Sequence, residues 1–352
     1  MERATWKGIA YAGAAAALFG ASTPISKLLL PGVEPVMMAG LLYLGSGLGL
    51  AMWQWIRSWR LRTGAEAKLG RKDVPCLVGA ILSGGIVAPV LLLLGLTSFP
   101  ASTASLLLNL EGVLTAVLAW FVYKEHFDQR IAFGMVLISA GAGALSWFGR
   151  PVIGPPWGAL AISGACLAWA MDNNLTRKVS AADPVQIAML KGLCAGTVNA
   201  SIALAFGAKF PPLPTLTAIS LIGLFGYGIS LVLFVLALRH LGTARTGAYF
   251  AFAPFIGATI SVALLNEPVT SGLLVAAVLM GAGLWLHLTE DHDHDHGHAF
   301  VEHEHLHTHD EHHQHPHSLN EPHEEPHSHR HQHGDLVHRH PHYPDIHHRH
   351  PH

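Results

Sequence analysis

Ten long runs of apolar residues, separated by short polar or proline-containing joints, follow one another along the chain as far as Leu288. Each run is close to the roughly 20 helical residues that cross the hydrocarbon core of a bilayer. The pattern therefore predicts an all-α integral membrane protein with ten transmembrane helices. The predicted spans are residues 6–27, 34–56, 74–97, 101–123, 131–149, 157–178, 184–207, 214–238, 242–265 and 268–288.

The distribution of Lys and Arg among the joints predicts how these helices are oriented. With the N-terminus in the cytoplasm, the cytoplasmic joints carry fourteen Lys and Arg residues and the opposite joints carry three. Such an excess of positive charge is typical of cytoplasmic loops. Because ten is an even number of spans, the C-terminus is predicted to be cytoplasmic as well.

The composition of the chain changes abruptly after Thr289. Residues 1–289 hold 18 of the 21 Lys and Arg, whereas residues 290–352 hold 13 of the 23 Asp and Glu and 24 of the 27 His. The C-terminal segment has few apolar residues and several prolines. A segment that cannot bury apolar surface does not fold by itself, so we expect a disordered, histidine-rich tail at 290–352.

The ten predicted spans divide into two halves that resemble each other in two registers. A shift of 142 residues applies to the fourth and fifth spans and their joint, and a shift of 150 applies to the first span. The aligned pairs are Glu125 with Glu267, Gly112 with Pro254, Gly141 with Gly283, Ser22 with Asp172, and Lys27 with Arg177. Five spans per half is an odd number, so the halves insert in opposite orientations, as the inverted repeats of many secondary transporters do. We assign 1–150 and 151–289 to the two repeats and 290–352 to the tail.

Three stretches of the chain carry a resemblance to a known family. They are ALFGASTPISKLLL in the first span, NLEGVLTAVLAWFVYKE in the fourth and APFIGATISVALLNEP in the ninth. With the ten-span, two-half plan of residues 5–288, they make the chain similar to the EamA-like branch of the drug/metabolite transporter superfamily. The resemblance implies a secondary-active transporter in a bacterial inner membrane and is compatible with a homodimer. It implies no substrate, because members carry amino acids, metabolites, drugs or sugars, and the histidine tail departs from the family pattern.

The remaining motifs of the body do not indicate another class of protein. We find no catalytic triad, nucleotide-binding loop or nucleic-acid surface in the sequence. We therefore expect no enzymatic activity, no required cofactor and no nucleic-acid partner. The expected partners are the lipid bilayer and a small solute or a metal ion.

Glu111 is the strongest candidate for a functional residue within the membrane. It lies near the middle of the fourth span, where a charged side chain is costly unless it is paired, hydrated or protonated. A carboxyl group at this depth can carry a proton or bind a cation. Thr115 lies one helical turn further along the same face. The alternative is that Glu111 stays neutral and only ties two helices together.

Two charged residues of the sixth and seventh spans are predicted to pair. Asp172 and Lys191 each lie about five residues to the cytoplasmic side of mid-span, which at about 1.5 Å per residue is roughly 7–8 Å from the midplane. Their pair would serve as a gate or as a plain helix clamp. Further polar residues are expected to line the inner half of the same cavity: Asn173, Asn174, Ser22 and Thr23.

Pro254 is a candidate for an interruption in the substrate pathway. Transporter sites tend to lie where corresponding helices of the two halves are broken, and Pro254 aligns with Gly112 in the repeat. A proline in a helix interior removes a backbone hydrogen bond and frees a carbonyl group. The alternative is a packing kink without a role in transport.

The tail is rich in HxH patterns, which predict that it binds divalent metal. Imidazole is a good ligand for zinc, nickel, cobalt and copper, and a flexible chain can place several imidazoles around one ion. The candidate ligands are His292, His294, His296, His298, His303, His305, His307 and His309.

The role of the tail leaves four hypotheses open. The body transports a transition metal that the tail gathers or senses; the body transports an organic metabolite or drug and the tail is a metal-responsive regulator or store; or the tail is compositional drift. A fourth hypothesis is a metal sensor that the ten spans only anchor in the membrane.

Overall fold

The structure, a computed structural model, describes residues 2–60, 69–123, 129–148, 157–179 and 182–288, and in the tail 293–298, 301–307, 327–333 and 336–341. The α-helices are α1 (Glu2–Leu29), α2 (Pro35–Arg60), α3 (Val74–Ala80), α4 (Ala88–Ser98), α5 (Ala101–Leu107), α6 (Leu110–Tyr123), α7 (Gln129–Phe148), α8 (Trp157–Val179), α9 (Pro184–Ala205), α10 (Leu213–Ile222), α11 (Ser230–Phe250), α12 (Ala253–Leu265) and α13 (Ser271–Leu288). A single 3₁₀ turn, Leu30–Gly32, follows α1.

The described helices agree with an integral membrane protein. Six stretches are long and apolar enough to cross a bilayer: Trp6–Gly32, Pro35–Arg57, Val74–Ser98, Ala101–Leu118, Pro184–Ala205 and Leu213–Ala237. Shorter apolar stretches follow at Ala132–Leu145, Ala253–Leu265 and Ser271–Leu286. The remaining predicted span is α8, whose C-terminal half carries the polar sequence DNNLTRK.

Two π-helical segments occupy matched positions in the two halves. The first π segment, Ile81–Val87, joins α3 to α4, and the second π segment, Gly223–Ile229, joins α10 to α11. Their bounds differ by 142 at both ends (223 − 81 and 229 − 87), which is the shift that aligns the two halves in the sequence. Such segments are rare and are found frequently at functional sites.

Helices α7 and α13 make the reciprocal contacts that a two-fold axis produces. A Cβ added to Gly141 would lie 2.8 Å from Met280 Cγ, and a Cβ added to Gly283 would lie 2.8 Å from Ile138 Cγ1. The two contacts are related by the same shift (280 − 138 and 283 − 141, both 142). When one residue contacts the counterpart of another and the reverse also holds, the two bodies are related by two-fold symmetry. The internal repeat of the sequence is therefore present in the packing.

The first helix of each half packs on the later spans of the other half. Helix α1 packs along α11 and α12, whereas α8 packs along α3, α4 and α6. Helices α2 and α9 lie against each other at a distance that glycine permits, because a Cβ on Gly192 or Gly196 would lie 2.5 Å from the backbone nitrogen of Gly47 or Leu44. Small residues allow this close approach of helices in membranes.

The joint predicted between the eighth and ninth spans is helical in the structure, and the chain breaks later. Helix α11 continues from Ser230 to Phe250 through the expected joint near residues 239–241, and the turn at 251–252 separates it from α12. In the first half, Phe99-Pro100 separates α4 from α5, because the residue before a proline is disfavoured in a helix. The second half has Leu241-Gly242 at the matched position, and neither residue requires a break.

The tail contains four short strands where we expected disorder throughout. Strands β1 (Asp293–His298) and β4 (Leu336–Pro341) pair antiparallel, as do β2 (Val301–His307) and β3 (His327–His333). Alternation of histidine with other residues has the two-residue period of a β-strand, and an inference from composition alone does not use that period. The structure thus assigns strands at these four segments, and disorder of the rest of 290–352 stays a prediction. His292, His309 and both repeat boundaries lie outside the described residues.

Candidate functional site

Glu111 lies directly after a break in the fourth span. Helix α5 ends at Leu107, α6 begins at Leu110, and the Glu111 N–H donates to Leu108 O at 3.0 Å. The carboxylate is thus in the first turn of a half-helix, where the unpaired N–H groups and the helix dipole favour negative charge. The local sequence therefore stabilises a carboxylate at membrane depth before any other helix contributes.

Asn173 on α8 bridges to this carboxylate across the boundary between the halves. Its Nδ2 donates to Glu111 Oε1 at 2.7 Å and lies 3.4 Å from Thr115 Oγ1. All three side chains are only partly buried. Glu111 and Thr115 of the fourth predicted span and Asn173 of the sixth are brought together here, and we call these three residues the Glu111 site.

Asn174, the neighbour of Asn173, holds the two helices together instead. It is buried, and its Nδ2 donates to Ala170 O at 2.9 Å within α8 and to Thr115 O at 3.2 Å on α6. These bonds fix the position of α8 against α6. Asn174 is thus placed to support the Glu111 site and not to line it.

The predicted pair of Asp172 and Lys191 is present and buried. Lys191 Nζ lies 2.6 Å from Asp172 Oδ1 and 2.7 Å from Oδ2, and the side chains are 8% and 5% exposed for Asp172 and Lys191. Thr176 also donates to Asp172 Oδ1 at 2.8 Å. A buried charge needs a partner and further hydrogen bonds, and this arrangement provides both. The pair joins α8 to α9.

The first π segment presents backbone carbonyl groups to the same region. Tyr43 Oη donates to Gly84 O at 2.7 Å, Trp169 Nε1 donates to Gly84 O at 3.1 Å, and Asn199 Nδ2 donates to Gly85 O at 3.2 Å. Pro89 has no N–H to donate to carbonyls in the preceding turn, which leaves these acceptors for side chains of three other helices. Sequence reasoning missed Tyr43, Trp169 and Gly84, although the spacing of Gly84 and Gly85 before Pro89 was the available signal.

Ser22 and Thr23 do not belong to the Glu111 site. Both are buried in α1, and Ser22 Oγ donates to Phe19 O at 2.6 Å within the same helix. A Cβ on Gly226 would lie 2.7 Å from Ser22 Cβ, just as a Cβ on Gly84 would collide with the Asp172 carboxylate. Ser22 therefore occupies the position in the first half that Asp172 occupies in the second. The structure therefore does not bring Ser22 and Thr23 beside Glu111, and the lining of one cavity by all four residues stays a prediction.

Aromatic rings meet between the two halves beside these polar groups. Phe19 and Trp169 contact edge to face with centroids 5.9 Å apart, and they are repeat counterparts (169 − 19 = 150). The ring centroid of Tyr227 lies 6.0 Å from that of Phe19 and 5.3 Å from that of Tyr43. The rings give the centre of the protein an apolar wall that reaches the polar groups through Tyr43 and Trp169.

Pro254 has a different role from the predicted one. It lies in the first turn of α12, directly after the turn at 251–252, and not in a helix interior. Proline is favoured there because the first N–H groups of a helix have no partner in any case. The interpretation that Pro254 frees a carbonyl by removing an interior bond is therefore wrong. The matched interruption is the turn itself, which corresponds to the break before Glu111.

In the part of the membrane body that the structure describes, metal-ligating side chains are not clustered. Among the side chains that the structure describes, no three His, Cys, Asp or Glu residues are placed to hold one metal ion. Cys76, Cys166 and Cys194 are free thiols at separate positions. The histidine side chains of the tail lie outside that set.

Comparison with known proteins gives matches along the whole membrane body. The model of the EamA-like transporter family matches residues 6–147 and 156–289. An uncharacterized transporter of Methanothermobacter thermautotrophicus is 28% identical over 286 residues, covering 76% of this chain and 82% of that protein. The uncharacterized inner membrane transporter YedA of Escherichia coli K12 is 23% identical over 284 residues, covering 75% and 86%. A solved crystal structure shares the fold, with a TM-score of 0.61 and 18% identity over 82% of this chain and 98% of that chain.

Proposed function

Because the chain belongs to the EamA-like transporter family, it is a membrane transporter, and we propose that it moves a small organic solute by secondary-active transport through a pathway containing the Glu111 site. The observation that carries this proposal is the 2.7 Å hydrogen bond from Asn173 to Glu111. It joins the broken fourth span of one half to the sixth span of the other. Substrate sites of repeat-built transporters lie at such interfaces, beside discontinuous helices.

The chemistry of the Glu111 site favours a solute with a cationic or hydrogen-bond-donating group. The carboxylate of Glu111 accepts, Thr115 can donate or accept, and the Asn173 amide is already bound to Glu111. A donor on the solute takes the place of the Asn173 amide at the carboxylate. That exchange loosens the link between α8 and α6, so that solute binding is coupled to the contact between the two halves.

The aromatic rings between the two halves favour a solute with an apolar organic part. Phe19 is partly exposed, and its ring adjoins Trp169 and Tyr227. Aromatic rings bind apolar groups by dispersion and bind cations through their faces. A compact solute with one charged or donating end and one apolar end matches these two surfaces.

A divalent transition metal is the second candidate substrate. The histidine tail favours it, because a metal-binding segment at the cytoplasmic end of a transporter can collect or sense its cargo. Within the body, the two carboxylates nearest the pathway are already engaged, Asp172 by Lys191 and Glu111 by Asn173. We therefore place the metal with the tail, as a store or a signal, and the organic solute in the membrane.

Uptake into proteoliposomes tests the proposal. The full chain is reconstituted and offered four labelled organic classes (cations, zwitterions, anions and neutral sugars) together with Zn²⁺, Ni²⁺, Co²⁺ and Cu²⁺. We expect one organic class to be taken up, and Glu111→Gln to lower that uptake at least about tenfold, equivalent to about 1.4 kcal/mol. The matched control is Glu34→Gln. The Glu34 carboxylate accepts a hydrogen bond from the Met37 N–H at the start of α2.

The outcomes separate the candidate functions. Equal uptake by the Glu111→Gln and wild-type chains contradicts the assigned site. Uptake of a divalent ion alone supports the second candidate. No uptake of any compound, with metal retained by the tail, supports the membrane-anchored sensor.

A further inference from the structure

The strands of the tail bring histidines from distant parts of the sequence into register. In the pairing of β2 with β3, His303 is opposite His331, His305 opposite His329 and His307 opposite His327. Residues two apart lie on the same face of a strand. The Cα register therefore places six histidine positions on one face of this two-stranded sheet.

The second sheet repeats the arrangement. In the pairing of β1 with β4, His294 is opposite His340 and His296 is opposite His338. These four positions again share one face, by the same two-residue period. The register ends the series at His298, which is opposite Leu336.

The other face of each sheet has complementary charges. Glu304 is opposite Arg330 in the first sheet, and Asp295 is opposite Arg339 in the second. Opposite charges directly across an antiparallel pair favour that register. The arginines of the tail are few, and two of its three stand opposite an acidic residue. Sequence and pairing thus agree on which residues face each other.

The spacing on the histidine face suits a transition metal. Directly opposed positions have Cβ atoms about 4.5–5.5 Å apart, and imidazole nitrogens bind zinc at about 2.0–2.1 Å. One ion between two opposed positions can therefore take a nitrogen from each strand. Two successive opposed pairs offer four nitrogens, which is the tetrahedral number for zinc.

We propose that the histidine face of the β2–β3 sheet binds a divalent transition metal between its strands, with His303, His305, His329 and His331 as the central ligands. This site rests on the proposal that the tail binds metal and extends it, because half of the ligands come from beyond residue 326. Since binding and ordering are one process at such sites, metal stabilises the strand pairing.

The site differs from local chelation in one testable respect. If HxH patterns bound metal separately, a change in β3 would leave the affinity of β2 unchanged. An ion shared between strands makes His305 and His329 interdependent. Their effects on affinity are then strongly non-additive, as expected for residues that act as one unit.

Metal titration of the full chain distinguishes a site shared between the strands from separate binding by each HxH pattern. The chain is purified in detergent without a histidine tag and titrated with Zn²⁺ and Ni²⁺ against a chromophoric chelator. His305→Gln and His329→Gln are each expected to weaken the tightest site roughly tenfold or more, equivalent to about 1.4 kcal/mol. The double variant is expected to lose little beyond either single one. The control is His333→Gln, whose register partner in the same sheet is Val301.

Each outcome bears on a different claim. If His305→Gln lowers the metal affinity and His329→Gln does not, the shared site is overturned, whereas metal binding by the tail still stands. Equal losses of affinity for His333→Gln and His305→Gln overturn the register. Absence of binding by the wild-type chain overturns both the shared site and the metal-binding role of the tail, and it leaves transport by the body untouched.

Discussion

Gly84 of the first π segment packs directly against the carboxylate of Asp172, leaving no room between them for a Cβ atom. The counterpart contact in the other half joins Gly226 to Ser22. The two halves therefore share one packing arrangement but differ in charge. In the second half the position is part of a buried ion pair, and in the first half it is a neutral hydroxyl.

A first prediction follows for Gly84→Ala. The added methyl group must displace Asp172 from Lys191 or shift the π segment, because the close contact is to a carboxylate held by Lys191 at 2.6 Å. We expect the apparent unfolding temperature of the detergent-solubilised protein to fall clearly, with a cost of about 1–3 kcal/mol for overpacking. The matched control is Gly143→Ala, since nothing lies within 4 Å of a Cβ there. If both variants have the same apparent unfolding temperature, the π segment accommodates the added methyl group without strain.

A second prediction concerns the ion pair itself. Lys191→Met leaves Asp172 buried with only the Thr176 hydroxyl, and Asp172→Asn leaves a buried ammonium group without its carboxylate. Breaking one side of a buried pair costs about 3–5 kcal/mol, whereas replacing both partners is far less costly. We expect each single variant to melt at a much lower temperature and the double variant to recover much of the loss. Recovery is absent if Lys191 holds other groups more strongly than Asp172.

A third prediction concerns the end of the bundle where α4 meets α5. Glu267 accepts from Ala101 N at 2.7 Å and Ser102 N at 2.8 Å, and Lys27 donates to Phe99 O at 3.0 Å and to Leu96 O. Two charged side chains thus cap the ends of α4 and α5. Asn266, at a left-handed φ of 52°, turns the chain so that Glu267 follows α12 at this point.

Loss of the Glu267 carboxylate should loosen this joint. A lost cap costs about 0.5–2 kcal/mol, so we expect Glu267→Ala to lower the apparent unfolding temperature and to speed hydrogen exchange at Ala101 and Ser102. Thr270→Ala is the control, because Thr270 caps only its own helix through the Leu273 N–H at 3.1 Å. If the two variants exchange alike at Ala101, then Glu267 does not hold the joint.

The sequence could predict that Asp172 and Lys191 lie at one level, but it could not predict which way a side chain points around its helix axis. Counting 1.5 Å per residue placed Asp172 and Lys191 at one level, and the structure pairs them. The same count puts Ser22 on the other side of the midplane, because the first span runs outward from the N-terminus whereas the sixth runs inward, and α1 packs on the opposite half of the protein. Which helices become neighbours depends on tertiary packing, which no single span encodes.

The repeat was predictable, whereas the irregular backbone was only partly so. The shift of 142 residues identifies Gly141 with Gly283, and the packing reproduces it. Pro89 follows the first π segment and Pro254 follows the break at residues 251–252, whereas the second π segment has Leu231 at the position matched to Pro89. A proline signals that a helix changes, but its position alone does not say whether it interrupts a helix or begins one.

The predicted orientation of the bundle gives a last prediction, which uses two exposed residues at opposite ends. Lys209 follows α9, and Arg71 precedes α3, and both side chains are exposed. If the N-terminus is cytoplasmic, one span leads from Arg71 to the outer face and Lys209 lies on that face. In a background lacking Cys76, Cys166 and Cys194, a membrane-impermeant maleimide should label Lys209→Cys in intact cells. Arg71→Cys should react only after the cells are permeabilised. The reverse pattern would place the histidine tail outside the cytoplasm, where it could not answer to intracellular metal.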